Sequence, residues 1–467
     1  MNKEEWYRLR NDRTNRVDNV ILNDNSKRVG VRLFETSLGV NQLASLLFLN
    51  TLSRWCRRIR VEIVSESLNE SEITFKNELM STIKEADLHV DLEFKKVDYT
   101  SCDFVVEIGS DKTPDSNVFW LDFNGWIAGY GFGKKSYSLK NNRDEFNIIG
   151  ASFAAATLNS EIFSLYLELK QAESFEVYNS LFNFEKSNSP INLKNPKIGT
   201  SIDLGRVWQV GCGAVGSNFD YLLTLNNPNI EISLIDFDSI DISNTSSSLV
   251  FSSQDVLNGK KVKKVDKCNE LLSRYSNIST NKTDGDFGKF IEERNLLLAT
   301  ERKYPDTILC FANERNVWSS IQYNEPPIVL ASTTSSNWGV NFFRHIPFLE
   351  RCIVCTFGNK PHKFKPICSQ GVEVSPEGNE EKLGSLPFLS LTAATLVLAE
   401  LIKINILKKN EYPVNTNFLQ IGFKNIKDAQ FLSLQINKTD KCNICKLQNK
   451  SNYHEGFKKS LIYEKLY

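Results

Sequence analysis

Apolar segments alternate in kind from Arg28 to about Leu169. The strand-like VGVRLF (Val29 to Phe34) leads into a helix-like run from Asn41 to Arg58, then the short strand RVEIV (Arg60 to Val64). A charged helical stretch near Glu70 to Ala86 follows, then short strands at Phe104 to Ile108 and Val118 to Phe123, and a helix-like run from Gly150 to Leu169. This alternation predicts a parallel sheet with crossover helices. Between Phe182 and Thr200 the periodicity is lost and Pro, Asn, Ser and Gly accumulate, as in linkers. The same order then restarts, with a strand at Val207 to Val210, a glycine turn, a helix from Val215 to Leu225 and a strand at Ile230 to Ile235. DTILCFAN (Asp306 to Asn313) repeats SCDFVVEIGS, and the run from Gly384 to Ile404 repeats the Gly150 helix. The expected fold is therefore α/β, two doubly wound Rossmann-like halves arising by duplication, divided as residues 1–190 and 200–467.

At 467 residues, with 41% hydrophobic and 24% charged positions, the chain has a globular composition and room for a sizeable core. Lys plus Arg and Asp plus Glu both number 56, so no bulk field recruits nucleic acid or an anionic membrane. The sequence has no uncharged apolar run of about 18 residues, and its charged start does not read as a signal peptide, which points to the cytoplasm. Ten cysteines fit that compartment if reduced, and four of them form two Cys-x-x-Cys pairs, which suggests metal before disulfide.

The strongest local signal is VWQVGCGAVGSNF, in which Gly211, Gly213 and Gly216 form G-x-G-x-x-G after a strand and at the opening of a helix. Glycines let the backbone turn tightly and approach a phosphate, and the helix start favours negative charge. Asp236, twenty residues beyond Gly216, closes the second strand, where a carboxylate can accept hydrogen bonds from ribose hydroxyls. The pair reads as an adenine-nucleotide site and does not choose between NAD and ATP.

The following segment, Leu234 to Cys268, resembles the ThiF/MoeB superfamily of adenylating enzymes, which includes the ubiquitin-activating enzymes. Asp236, Asp238, Ile240, Ser243 and Asn244 fit the family's D-x-D-x-(V/I)-x-x-S-N segment. Lys261, with Lys260 or Lys263 as alternatives, fits its lysine, although KKVKKVDK also reads as a solvated helix start. The resemblance extends over most of Ser201 to Lys446, while the first half looks like the inactive adenylation half of tandem activating enzymes, with TSLGVN in place of a glycine loop. It implies that a C-terminal carboxylate of a ubiquitin-like protein or peptide attacks the α-phosphate of ATP, expelling pyrophosphate. Mg²⁺ and cationic side chains would neutralise the phosphates. On this reading Gly211 to Gly216 hold nucleotide, Asp236 the ribose, and Asn244 and Lys261 the phosphates. Two departures stand out: Ser247 replaces an arginine of the S-N segment, and Asn313 replaces the aspartate that binds Mg²⁺ at the end of the fourth strand. An amide is a poorer Mg²⁺ ligand than a carboxylate; the adjacent Glu314 substitutes for it if the loop is turned slightly, whereas strand alternation points it elsewhere. The family's arginine-rich N-terminal helix suggests Arg10 or Arg13 as a residue reaching the partner half's nucleotide.

Cys352, Cys355, Cys442 and Cys445 supply four thiolates suited to a closed, structural Zn²⁺ site, as in the family. Cys368, in KPICSQGVEV, resembles the loop cysteine that accepts the acyl group as a thioester, and thiolates are suited to that role. The implied partners are a ubiquitin-like protein or peptide with a free carboxylate and a conjugating-enzyme-like protein. The chain would be a pseudo-dimer in itself, with a homodimer open, in a bacterial conjugation system resembling those of antiphage defence. The rival reading, resting on Ser247 and Asn313, is a degenerate module that binds a tail without using ATP.

Overall fold

The computed structural model describes residues 1–17, 26–36, 39–65, 67–111, 114–139, 147–193, 195–198, 202–298, 305–312, 314–324, 327–335, 337–357, 372–374, 380–382, 384–406, 416–424, 431–439, 442 and 445. Helices α1 (Lys3–Arg10) and α2 (Asp12–Asn15) precede a sheet in the order β3-β2-β1-β4-β5-β6-β7-β8. Its strands are β1 (Val29–Leu33), β2 (Arg58–Ile63), β3 (Asp91–Phe94), β4 (Phe104–Ile108), β5 (Phe119–Asn124), β6 (Ile127–Phe132), β7 (Phe175–Ser180) and β8 (Lys186–Ser187). Helices α3 (Gly39–Ser53), α4 (Glu70–Ala86) and α5 (Ile149–Tyr166) connect them.

The second sheet repeats that order as β11-β10-β9-β12-β13-β14-β17-β18. Its strands are β9 (Asp203–Val210), β10 (Asn229–Asp236), β11 (Ile278–Asp284), β12 (Thr307–Cys310), β13 (Ile328–Ser335), β14 (Gly339–His345), β17 (Phe418–Gly422) and β18 (Phe431–Leu434). A separate hairpin joins β15 (Val372–Val374) to β16 (Glu380–Lys382). The helices here are α6 (Ala214–Asn226), α7 (Ser253–Leu257), α8 (Lys264–Leu272), α9 (Phe287–Leu298), α10 (Arg315–Tyr323), α11 (Ile353–Phe357) and α12 (Pro387–Ile406). Two Rossmann-like sheets of one topology are thus present, as the repeated pattern predicts.

Both sheets are mostly parallel, with antiparallel outer strands. β1 to β5 pair in parallel, whereas β5-β6, β6-β7 and β7-β8 are antiparallel, and β13-β14-β17-β18 repeat this. The reversal is local: Asn124 faces Ile127 across a two-residue Gly125-Trp126 turn, and Gly125 takes φ of 52°.

α5 and α12 are apolar on every side because both are enclosed. Each described side chain of α5 is buried, Ser152 Oγ lies 2.6 Å from Thr395 Oγ1 of α12, and Phe163 stacks near Phe388 and Trp338. α12 is long and apolar enough to cross a membrane, yet its window Pro387–Asn405 is wholly buried inside the protein, as expected of a central core helix.

Candidate nucleotide and metal sites

β9 lies between β10 and β12, so the chain leaves it at the point where strand order reverses, the place where open α/β sheets bind ligands. The glycines there have separable reasons. Gly211 adopts φ of 102° and donates its N–H to Ile235 O at 2.9 Å. A Cβ on Gly216 would sit 2.1 Å from Gly211 O, so α6 can approach the turn only without one. A Cβ on Gly213 would meet nothing within 4 Å among the described residues.

Asp236 closes β10 with both carboxylate oxygens engaged: Oδ2 accepts from Cys212 N at 2.6 Å and Oδ1 from Asp238 N at 2.8 Å. Burial and the neighbouring Asp238 hold its carboxyl above the usual range, while Lys264 and the two amides pull it back. Asp238 Oδ2 meets Lys264 Nζ at 2.8 Å, and Lys264 N donates to Asp238 O at 3.0 Å. Asp238 Oδ1 is buried without a hydrogen-bond partner among the described residues. Asn244 lies in the following 3-10 turn, Ile242–Ser246, where its Oδ1 accepts from Asp241 N at 2.9 Å and closes a capping box.

Lys261 is exposed in the loop before α8, whereas Lys264, at the first turn of α8, reaches the aspartates. Lys263, one of the alternatives, ties Phe237 O at 2.6 Å and Asp284 at 3.0 Å. The sequence reading overlooked Lys264. Its signal was the amphipathic spacing of Lys264, Val265, Cys268 and Leu272, all buried on one face of α8.

The two arginines of the N-terminal helices separate. Arg10 is buried in the first half, donating to Ser53 O at 2.6 Å and pairing with Asp87 at 2.9 Å. Arg13 instead lies in the field of Asp241 and Asp238. Burial lowers its pKa, and those carboxylates and Asp12 work against the shift. Its segment packs on the second half, where Arg13 O accepts from Ser385 N at 3.2 Å.

Ser247 is fully buried, and its Oγ has no partner among the described residues, so this position offers no cation to a phosphate. Asn313 and Cys368 lie outside the described residues. Glu314 stands at the N-cap of α10 and is exposed, and desolvation, together with the like charges of Asp238 and Asp236, holds its carboxyl above the usual range.

The two Cys-x-x-Cys pairs come together. Sγ of Cys352 lies 3.8 Å from that of Cys442, and Cys355 lies 3.9 Å from Cys445. A tetrahedron of sulfurs about 2.3 Å from a Zn²⁺ ion has edges of about 3.8 Å, so the four thiols fit such an ion. Backbone pairing brings them together: Arg351 N donates to Ile436 O at 3.3 Å and Lys438 N to Leu349 O at 3.3 Å.

Sheet order, glycine turn and the carboxylate that closes β10 define a Rossmann-type nucleotide-binding protein. Residues 200–444 match the model of the ThiF family, and the chain belongs to that family. No curated protein matches it. Among solved structures, E. coli MccB with ATP is similar at 21% identity and a TM-score of 0.39, over 52% of this chain and 66% of that one. The microcin C7 biosynthetic enzyme MccB in complex with N-formylated MccA gives 19% and 0.40, over 52% and 67%, and PaaA gives 15% and 0.36, over 50% and 73%. The chain thus spans about two thirds of the length of MccB.

Proposed function

We propose that this protein is an ATP-dependent adenylating enzyme. The C-terminal carboxylate of a ubiquitin-like protein or peptide attacks the α-phosphate of ATP, the bond to the β-phosphate breaks, and acyl-adenylate and pyrophosphate form. The observation that carries this reading is the open space at Gly213, bordered by the start of α6 and by the Asp236, Asp238 and Lys264 group.

The residues divide the work by charge. Amides at the start of α6 face the phosphates. Asp236, fixed by two backbone N–H groups, keeps lone pairs for ribose hydroxyls. Lys264 and Arg13 supply the cations that let one anion approach another, and Asp238 steers Lys264 through its ion pair. Asp238 Oδ1, buried and without a partner among the described residues, suits a divalent cation held by oxygen, with Glu314 as a further carboxylate in the field of Asp238. Mg²⁺ there would neutralise phosphate charge as the leaving group departs. Asn244 completes the phosphate side, with its Oδ1 held by the capping box.

Four thiolates around Zn²⁺ leave no open position, so that site is structural. Replacing Cys352 by serine should remove bound zinc, read by metal analysis, and lower the melting temperature while the glycine turn keeps its sequence. Cys368 is the acceptor for a later thioester: Cys368→Ala should keep pyrophosphate exchange and lose the thiol-sensitive covalent adduct. The reading places the enzyme in a reducing compartment, in a bacterial conjugation system with a conjugating-enzyme-like partner and antiphage defence as its setting. The Cys-x-x-Cys pairs and the family's chemistry support this.

Titration calorimetry with Mg²⁺–ATP on the zinc-loaded chain tests the proposal, followed by pyrophosphate exchange with candidate carboxylate substrates. Micromolar binding abolished by Gly213→Asp is expected. No binding by the wild type would sink the enzyme reading in favour of a tail-binding module.

A further inference from the structure

Arg54, just beyond the end of α3 in the first half, is fully buried against the second half. Its guanidinium has five N–H donors, and each has an acceptor. Nε–H and one Nη2–H donate to Asn50 Oδ1 at 3.1 and 2.9 Å, and the other Nη2–H to Leu249 O at 3.0 Å. Nη1 donates to Thr245 O at 2.8 Å and Phe251 O at 2.5 Å. Asn50 Nδ2 adds a bond to Leu249 O at 3.1 Å. No carboxylate pairs with Arg54 among the described residues, so its charge is solvated by three carbonyls and one side-chain amide oxygen.

These carbonyls belong to the segment that continues from Asn244 to Phe251. The other side of that segment is tied to α6, the helix opened by the glycine turn. Ser217 Oγ lies 2.7 Å from Ser248 Oγ, Asn218 Nδ2 donates to Ser247 O at 3.3 Å, and Leu249 N donates to Asn218 Oδ1 at 2.7 Å. A loop of four consecutive small hydroxyl residues, Thr245 to Ser248, has little apolar surface to hold itself in place. Its shape comes from polar bonds on both sides, and the first half supplies one side.

We propose that Arg54 is a positioning residue: through Thr245, Leu249 and Phe251 the first half sets the conformation of the loop carrying Asn244, and thereby nucleotide affinity in the second half. Arg54 itself touches no nucleotide, since all five donors are used inside the protein. The first half, which lacks a glycine turn, would then act as a scaffold for the nucleotide site. The effect on affinity rests on the proposed ATP chemistry; the effect on loop order does not.

The experiment compares the full-length wild type with Arg54→Met, Arg54→Lys and Asn50→Ala by hydrogen exchange and by Mg²⁺–ATP titration and exchange kinetics. Arg54→Met should speed amide exchange in residues 242–251 while β9 and the first sheet keep their protection. It should weaken ATP binding about tenfold with kcat at saturating ATP changed by less than about twofold, because the lost bonds act on binding geometry and not on the reacting atoms. Should Arg54→Met fail to fold, as removal of a buried charge network can cause, Arg54→Lys and Asn50→Ala carry the test with a weakening of about threefold each. Unchanged protection of 242–251 in the folded variants, or an unchanged KM for ATP, overturns the proposal, as does a loss of protection spread equally over both halves. Absence of ATP binding in the wild type overturns the adenylating reading, and the exchange pattern then decides by itself whether Arg54 orders the loop.

Discussion

After β1, the first half fills its own crossover with side chains. Asn41 Nδ2 donates to Phe34 O and Glu35 O, Thr36 Oγ1 donates to Glu72 at 2.8 Å, and a Cβ on Gly109 would strike Asn41 Nδ2 at 2.8 Å. Where Asp236 follows the last residue of β10 paired with β9, Val64 follows the last residue of β2 paired with β1, so an apolar side chain takes the place of the carboxylate. After β9 the backbone turns through glycine, no described residue comes within 4 Å of a Cβ on Gly213, and Asp236, Asp238 and Lys264 gather nearby. One strand order therefore supports two outcomes, and what separates them is a few side chains at the switch point. Topology makes the crevice; chemistry depends on whether the chain leaves it open.

The sharpest way to break this contrast is to compare two glycines of one turn. Gly216→Ala would place a methyl 2.1 Å from Gly211 O, backbone that cannot swing aside. It should abolish ATP binding and destabilise the fold by about 2 kcal/mol or more, as overpacking does. Gly213→Ala points into open space, so its melting temperature should stay near that of the wild type while ATP affinity falls by roughly tenfold, because the methyl takes ligand space. Thermal melts and calorimetry on both variants check this. If Gly213→Ala bound ATP normally, the open space would not be the nucleotide's.

The repeated topology was readable because it rests on period and spacing: strand, turn and helix recur in both halves, and the central strands lie within a few residues of their expected places. The outer antiparallel strands were not. Ile127–Phe132 is a run with four of its six residues aromatic or glycine beside a short turn, and Trp338 takes φ of 58°, a conformation that its sequence does not announce. Long-range polar partners were equally hidden. Arg54 finds its acceptors some 190 residues away, and Lys264 was masked by a run of lysines in which only burial distinguishes one from another. Cys-x-x-Cys pairs, by contrast, carry their chemistry in their spacing, and the two pairs meet.

That lysine run gives the next test. Lys264→Ala removes the cation paired with Asp238 and should lower the rate of pyrophosphate exchange by about a hundredfold, the scale of one electrostatic contact in a transition state. Lys261→Ala, at an exposed position, should leave the rate within about twofold. The reverse ranking would restore Lys261 to the phosphates and leave Lys264 as a support for Asp238.

Buried carboxylates extend the comparison to stability. In the first half Asp87 is paired with Arg10 at 2.9 Å and Asp122 with Lys135 at 2.9 Å. In the second half Asp220, on α6, is fully buried with Cys212 and Cys268 as neighbours; it accepts from Gln209 Nε2 at 3.2 Å, and Oδ1 has no partner among the described residues. Burial pushes its carboxyl up to about 7. The unfolded chain releases this proton near pH 4 and the folded one near pH 7, so between those values the folded state binds more protons and stability falls as pH rises. Asp220→Asn keeps a hydrogen-bonding group of the same shape and removes the titration. Its melting temperature relative to the wild type should therefore climb by a few degrees from pH 5 to pH 8, about the scale of a 1 kcal/mol change. Parallel melting curves across that range would show that Asp220 is ionised in the fold and has a cation beside it after all.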